Sequence, residues 1–237
     1  MRYSLRLLVL LAVTGGASLL GEAAASAQGY YGPAYGPPRG YYRQPAYAAP
    51  YYYGFHTHDG FFMRLNIGAG YLHASETFGG VTDTYSGGGA TYGAAFGGAV
   101  IPNLIIYGEV VGITVFDADL HSSDGTYSGP QSGLDVTMVG IGPGVAYYIM
   151  PVNLYLSGTL IFTQMSFSDN YSGTATDTNV GIGLSLMVGK EWWVGRDWGM
   201  GLAGQTQLAT MGDDPAPGYH TRMGAAVFSL LFSATYN

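Results

Sequence analysis

Between residues 179 and 189 every second position is aliphatic. Val180, Ile182, Leu184, Leu186 and Val188 form one row, and Asn179, Gly181, Gly183, Ser185, Met187 and Gly189 form the other. A period of two is that of a β-strand. The stretch after it repeats the pattern, with Trp198, Met200, Leu202 and Leu208 against Gly199, Gly201, Ala203, Gln205 and Gln207. Eight such segments are predicted, roughly 61–74, 90–101, 103–116, 135–150, 153–167, 178–190, 198–210 and 223–237. Each supplies the about 9–11 residues that a tilted strand needs to cross a bilayer.

The connections alternate in length. Ile101-Pro102-Asn103, Met150-Pro151-Val152-Asn153 and the stretch GKEWWVGRDWGMG (189–201) read as short turns. ASETFGGVTDTYSGG, DADLHSSDGTYSGPQSG, SDNYSGTATD and MGDDPAPGYHT read as longer loops. Short turns on one side and longer loops on the other are the habit of outer-membrane barrels. The expectation is an all-β, eight-stranded antiparallel up-and-down transmembrane β-barrel over residues 60–237. Both ends of the mature chain would be periplasmic and four long loops extracellular.

The row opposite the aliphatic one is mostly glycine, alanine and serine, too small and uncharged for the outside of a soluble barrel. It suits a narrow interior. An arginine facing lipid at mid-bilayer costs about 2–4 kcal/mol, so Arg64 is expected inside with Asn66, Gly68 and Gly70. Met63, Leu65, Ile67, Ala69 and Tyr71 then face out. Glu109 is expected inside too, which sends Ile105, Val111 and Ile113 inward with it. Arg64 and Glu109 lie at similar depth and are expected to pair, with Gln205 near them.

The stretch 189–201 holds all three tryptophans, Trp192, Trp193 and Trp198, beside Lys190, Glu191, Arg196 and Asp197. Indoles favour the headgroup level, where the ring meets apolar chains and the N–H stays wet. With Tyr107, Tyr147, Tyr148 and Tyr155 near the other turns they would form a periplasmic aromatic girdle, the four charges solvated just beyond.

Composition sharpens this. Charged residues make up 10% of the 237 residues, against roughly 25% in ordinary globular domains. Arg2 and Arg6, an apolar run from Leu7 to Val13 and Ala25-Ser26-Ala27 read as a signal peptide over residues 1–27. Its removal takes two of eight positive and one of fifteen negative residues, leaving six against fourteen, an acidic exported protein unsuited to nucleic acid. The absence of cysteine excludes disulfides and thiolate metal sites. Residues 28–59 are rich in tyrosine, proline and glycine and read as a disordered periplasmic linker, a spacer rather than a sticky aromatic segment. His56, His58 and Asp59 at its end lack the fixed surroundings of a metal site, and no metal or cofactor is expected.

Phe228, Leu230, Phe232, Ala234 and Tyr236 alternate to one residue before the end. This resembles the terminal assembly signal of bacterial outer-membrane barrels, with Asn237 as a departure. With GKEWWVGRDWGMGLAGQ as a penultimate hairpin, residues 60–237 resemble the OmpA/OmpX-type small outer-membrane barrels. The resemblance implies a monomeric, non-enzymatic structural or surface-contact protein, placed by the barrel-assembly machinery among outer-membrane lipids and lipopolysaccharide. A small-solute or hydrophobic-solute channel like the OmpW family is the alternative. The loop acids Glu76, Asp83, Asp117, Asp119, Asp124, Asp169, Asp177, Asp213 and Asp214 could share divalent cations with lipopolysaccharide, although exposed loop acids are commonly just solvated. His73 and Ser75, with Glu76 adjacent, make a His-x-Ser motif that resembles that of lipid A deacylases, where a histidine would activate the serine and a carboxylate orient the histidine. It lies on the first strand, whereas that family carries it late, so lipid A modification is a remote alternative.

Overall fold

The computed structural model describes residues 57–216 and 219–237; the expected signal peptide and nearly all of the linker lie outside the described residues. Eleven strands occur among the described residues. They are β1 (Phe61–Phe78), β2 (Val81–Ile101), β3 (Leu104–Val115), β4 (Asp119–Ser122), β5 (Ser128–Pro130), β6 (Leu134–Ile149), β7 (Leu154–Asp169), β8 (Thr174–Asp177), β9 (Gly181–Trp193), β10 (Trp198–Ala216) and β11 (Tyr219–Tyr236). Eight of them, β1, β2, β3, β6, β7, β9, β10 and β11, pair antiparallel each with the next, and β11 closes on β1. The chain is therefore a closed eight-stranded up-and-down barrel, which leaves its barrel strands no free edge along their shared length. The short strands β4 and β5 extend the sheet beside β2, and β8 pairs with β7.

The loops differ from expectation. The stretch 74–88 is no open loop: β1 and β2 run on beyond the barrel and meet in a two-residue turn at Gly79-Gly80, both at positive φ. A tight hairpin turn of this kind needs φ > 0 at both central residues, which glycine adopts without strain. β10 and β11 likewise pair out to Ala216 and Tyr219. Two hairpins thus stand well clear of the barrel at the loop end. At the turn end, Asn103 (φ 68°) and Asn153 (φ 52°) hold the left-handed positions of two of the three turns.

The barrel is inside out. Large apolar side chains stay exposed around its wall, among them Ile67, Ile106, Leu156, Leu184, Leu202 and Leu230. Arg64, Asn66 and Glu109 turn inward, as does the row of Ile105, Val111 and Ile113. On β1 the apolar row runs from Phe61 to Tyr71, and His73 is the first exposed polar residue above it. That interval, ten steps of about 3.3 Å tilted by about 40°, spans about 25 Å, the height of a lipid-facing band.

The interior is fuller than the small-residue row suggests, and it is layered. At the loop end, Leu72, Ile113, Met138, Met165, Met211 and Met223 form a buried apolar cluster. At the turn end, Phe62, Ile105, Tyr107, Tyr148, Tyr155 and Leu231 form an aromatic one. Polar residues lie between. The interior glycines accommodate this filling: Gly144 lies under the Tyr107 ring and Gly189 under the Tyr155 ring, where a Cβ would come within 2.5 Å of ring atoms.

Candidate functional site

The most elaborate constellation lies across the turn end. It starts with His58, which the sequence assigns to the linker and which is fully buried. Its backbone N–H donates to Asn103 Oδ1 (3.2 Å), and its carbonyl accepts from the Asn103 N–H (2.9 Å). Its imidazole Nε2 bonds Asn153 Oδ1 at 2.9 Å. The ring stacks on Tyr148 at 3.6 Å and lies 5.0 Å from the Trp193 ring. The residue ahead of β1 thus joins two turns that lie 50 residues apart, and one imidazole nitrogen is committed to the join rather than to a metal. Gly60 adds a further tie, its carbonyl accepting from the Ala99 N–H at 2.8 Å.

Beneath His58 lies the aromatic layer, and here the expected girdle divides. Trp192, Trp198 and Tyr147 are exposed on the outer wall, as a girdle requires. Trp198 meets Tyr236 edge-on at 5.4 Å, and Phe61 and Tyr236 extend the row. Lys190 Nζ lies 5.5 Å from the Trp192 ring and donates to the Val152 carbonyl. Tyr107, Tyr148 and Tyr155 instead point inward and are buried, and Trp193 turns toward His58. The reason is parity. Tyr148 follows the outward Tyr147, and Tyr107 shares its side of β3 with Glu109, so strand alternation sends both inside. Glu191 follows the same rule: expected in solvent, it is buried, with Oε1 accepting from Thr235 Oγ1 (2.6 Å) and the Tyr148 hydroxyl (3.4 Å).

Arg64, Glu109 and Gln205 are all buried inside the barrel, but no hydrogen bond joins them. The Arg64 guanidinium makes no hydrogen bond to protein. It sits among aromatic rings, 4.7 Å from the centre of Tyr155 and 5.6 Å from those of Phe62 and Tyr107, a cation–π cage. Glu109 Oε2 instead accepts from Thr159 Oγ1 (2.6 Å), which also meets the Tyr107 hydroxyl (3.0 Å). Gln205 donates to Ser185 Oγ (3.1 Å) and accepts from Gln207 Nε2 (3.2 Å). The expected direct pair is thus replaced by a caged cation and a hydroxyl-bound carboxylate, because aromatic rings occupy the guanidinium's flanks.

The His-x-Ser candidates do not assemble. His73 is exposed on the outer side of β1. Glu76 is an odd number of residues from both His73 and Ser75, so alternation aims it to the other side, and it accepts a hydrogen bond from the Thr221 hydroxyl. The carboxylate that would orient the histidine is committed elsewhere. Of the terminal residues, Phe228, Leu230 and Phe232 are exposed on the outer wall and Tyr236 is half-buried.

Many loop acids are occupied in building the loops. Asp83 and Asp177 accept from Ser122 and Ser166, and Asp117 Oδ1 accepts from the Gly133 N–H at 2.6 Å. Asp124 and Asp169 accept from the N–H two residues on, of Thr126 (2.9 Å) and Tyr171 (2.8 Å), the short-range turns that aspartate favours. Those backbone donors hold both carboxyls below the usual carboxylate range. The side chains of Asp213 and Asp214 lie outside the described residues.

No family model matches this chain, and no curated protein matches it in sequence. Solved structures do match in fold. The Neisserial surface protein A shares 15% identity over 75% of this chain and 97% of its own, with a TM-score of 0.53. OprG from Pseudomonas aeruginosa shares 14% over 76% and 97%, at a TM-score of 0.45. Ail, the attachment invasion locus protein of Yersinia pestis, shares 12% over 74% and 99%, at 0.39. The likeness to the first is a likeness of fold: the small outer-membrane β-barrel.

Proposed function

We propose that this protein is a non-enzymatic bacterial outer-membrane barrel with a structural or surface-contact role, its turn end in the periplasm and its loop-end hairpins projecting outward. The carrying observation is the band of exposed Ile, Leu, Val and Phe side chains around a closed wall, which water would not tolerate and acyl chains would cover. The outward Trp192, Trp198, Tyr147 and Tyr236 support a headgroup-level girdle at the turn end. The row Phe228, Leu230, Phe232 and Tyr236 is what assembly machinery would read, and the bilayer, with lipopolysaccharide around the loop end, is the partner of the wall. The test is heat-modifiable gel mobility of the outer-membrane fraction, with protease added to intact cells. The reading expects a folded form that migrates differently unheated and cleavage confined to loop-end segments. Recovery of the protein from an aqueous extract without detergent overturns it.

The channel alternative is disfavoured by the filled interior. Tyr85 and Phe167 meet at 4.7 Å above the methionine layer, and His58 lies across the other end. A sustained, discrete conductance in planar bilayers would reinstate that alternative. The separation of Glu76 from His73 argues against lipid A chemistry, and altered lipid A acylation in cells that make the protein would reverse that conclusion.

A further inference from the structure

The middle of the barrel differs chemically from both ends. Arg64 Nε, Nη1 and Nη2, both amide atoms of Asn66, Thr91 Oγ1, Glu109 Oε1, Gln207 Oε1 and Ser229 Oγ are buried with no hydrogen-bond partner on the protein. These residues come from β1, β2, β3, β10 and β11, so they face one another around the lumen rather than lining one strand. Gly68, Gly70 and Gly93 alternate with them on β1 and β2 and contribute no side chain to that level. Buried polar groups are normally satisfied, and where protein does not satisfy them ordered water does. The charges choose between ligands. A lone anion there would meet the Glu109 carboxylate, and a lone cation the Arg64 guanidinium. Water accepts from one and donates to the other.

The apolar loop-end cluster seals this level on one side. On the other side lies the buried aromatic layer of Phe62, Tyr107, Tyr148 and Tyr155, and His58, which belongs to no strand, backs that layer, stacked on Tyr148 and bonded to Asn103 and Asn153. We propose that the mid-barrel polar level is a closed body of water, and that His58 is the stopper that holds the aromatic layer closed over it at the turn end. The stopper precedes β1 and is held by three hydrogen bonds and one ring stack, so it can leave without breaking a barrel strand. Its departure removes the ring that backs Tyr148 and so loosens the aromatic layer, opening the interior from one side while the loop end stays shut.

The chain has no cysteine, so Ser229→Cys places a single thiol in the polar level. The full-length protein is refolded in detergent, barrel closure is checked by heat-modifiable mobility, and methyl methanethiosulfonate addition is followed by intact mass. The thiol is expected to be protected while His58 is present and to react roughly tenfold faster or more when His58→Ala is added. Asn153→Ala, which keeps the imidazole but removes its acceptor, should accelerate labelling by a smaller factor and carries the test if His58→Ala does not close. Fast labelling with the stopper intact overturns the seal. Protection that persists in the folded His58→Ala or Asn153→Ala barrel overturns the role of His58.

Discussion

The imidazole of His58 lies against the phenol of Tyr148, ring centres 3.6 Å apart and planes 21° from parallel. One partner comes from ahead of the first strand and the other from the end of β6, so the contact fastens the start of the barrel to its far wall. Exchanging the ring separates its two contributions. His58→Phe keeps the stacking and leaves Asn153 Oδ1 without its donor, a cost of about 1 kcal/mol. His58→Ala loses both and should cost about 2–3 kcal/mol. Urea titration of the heat-modifiable band, run on both variants, should return that order.

Glu109 and Thr159 should be strongly coupled, because 2.6 Å separates the hydroxyl oxygen from the carboxylate. A double-mutant cycle with Glu109→Gln and Thr159→Val should give a coupling of about 1–2 kcal/mol. The cycle of Arg64→Met with Glu109→Gln should give a smaller one, since no hydrogen bond joins that pair. Equal couplings would contradict the caged arrangement of Arg64.

Two glycines offer a matched contrast. A methyl at Gly189 would lie 2.5 Å from the Tyr155 ring, whereas one at Gly204 meets nothing within 4 Å. Gly189→Ala should destabilise the barrel by about 1–3 kcal/mol through overpacking, and Gly204→Ala should leave its unfolding midpoint within error.

Charge should be penalised by height on the wall. Leu184 is exposed in the middle of the outer row of β9, and arginine there should cost about 2–4 kcal/mol in a bilayer. His73→Arg, above the apolar row, should cost about 0–1 kcal/mol. Similar penalties at the two sites in lipid vesicles would mean that the band is not the lipid contact.

The turn after β7 should depend on pH in one direction only. The backbone N–H of Tyr171, with Ser172, holds the Asp169 carboxyl below its ordinary range. A carboxyl depressed in the folded state stabilises above its unfolded pKa and loses that contribution as pH falls through the folded value. The Tyr171 and Ser172 amide resonances should therefore hold from neutral pH down to about 4 and shift only below it. Asp169→Asn should remove the transition.

The strand periods carried the architecture. The alternation from Val180 to Val188 and the inward demand of Arg64 and Glu109 were enough to place eight strands and to orient β1 and β3, since a period of two leaves each side chain only two directions. The same rule held information about Tyr107, Tyr148 and Glu191, but proximity to a turn suggests the membrane surface, and turn position is a weaker constraint than parity. The hairpin tip at Gly79-Gly80 was likewise written in the residues, although their polarity reads as loop.

What no one-dimensional pattern could decide is which inward side chains meet. Arg64, Glu109 and Thr159 come from β1, β3 and β7, and their partners depend on how the closed barrel turns those strands toward one another across its lumen. His58 is the extreme case: it belongs to no periodic segment, and its burial arises only once Asn103, Tyr148, Asn153 and Trp193 have been brought around one opening. Periodicity assigns a residue to a face because neighbouring side chains alternate along one strand. Contact across an enclosed space is set by strand number, stagger and filling together, and these exist only in the folded barrel.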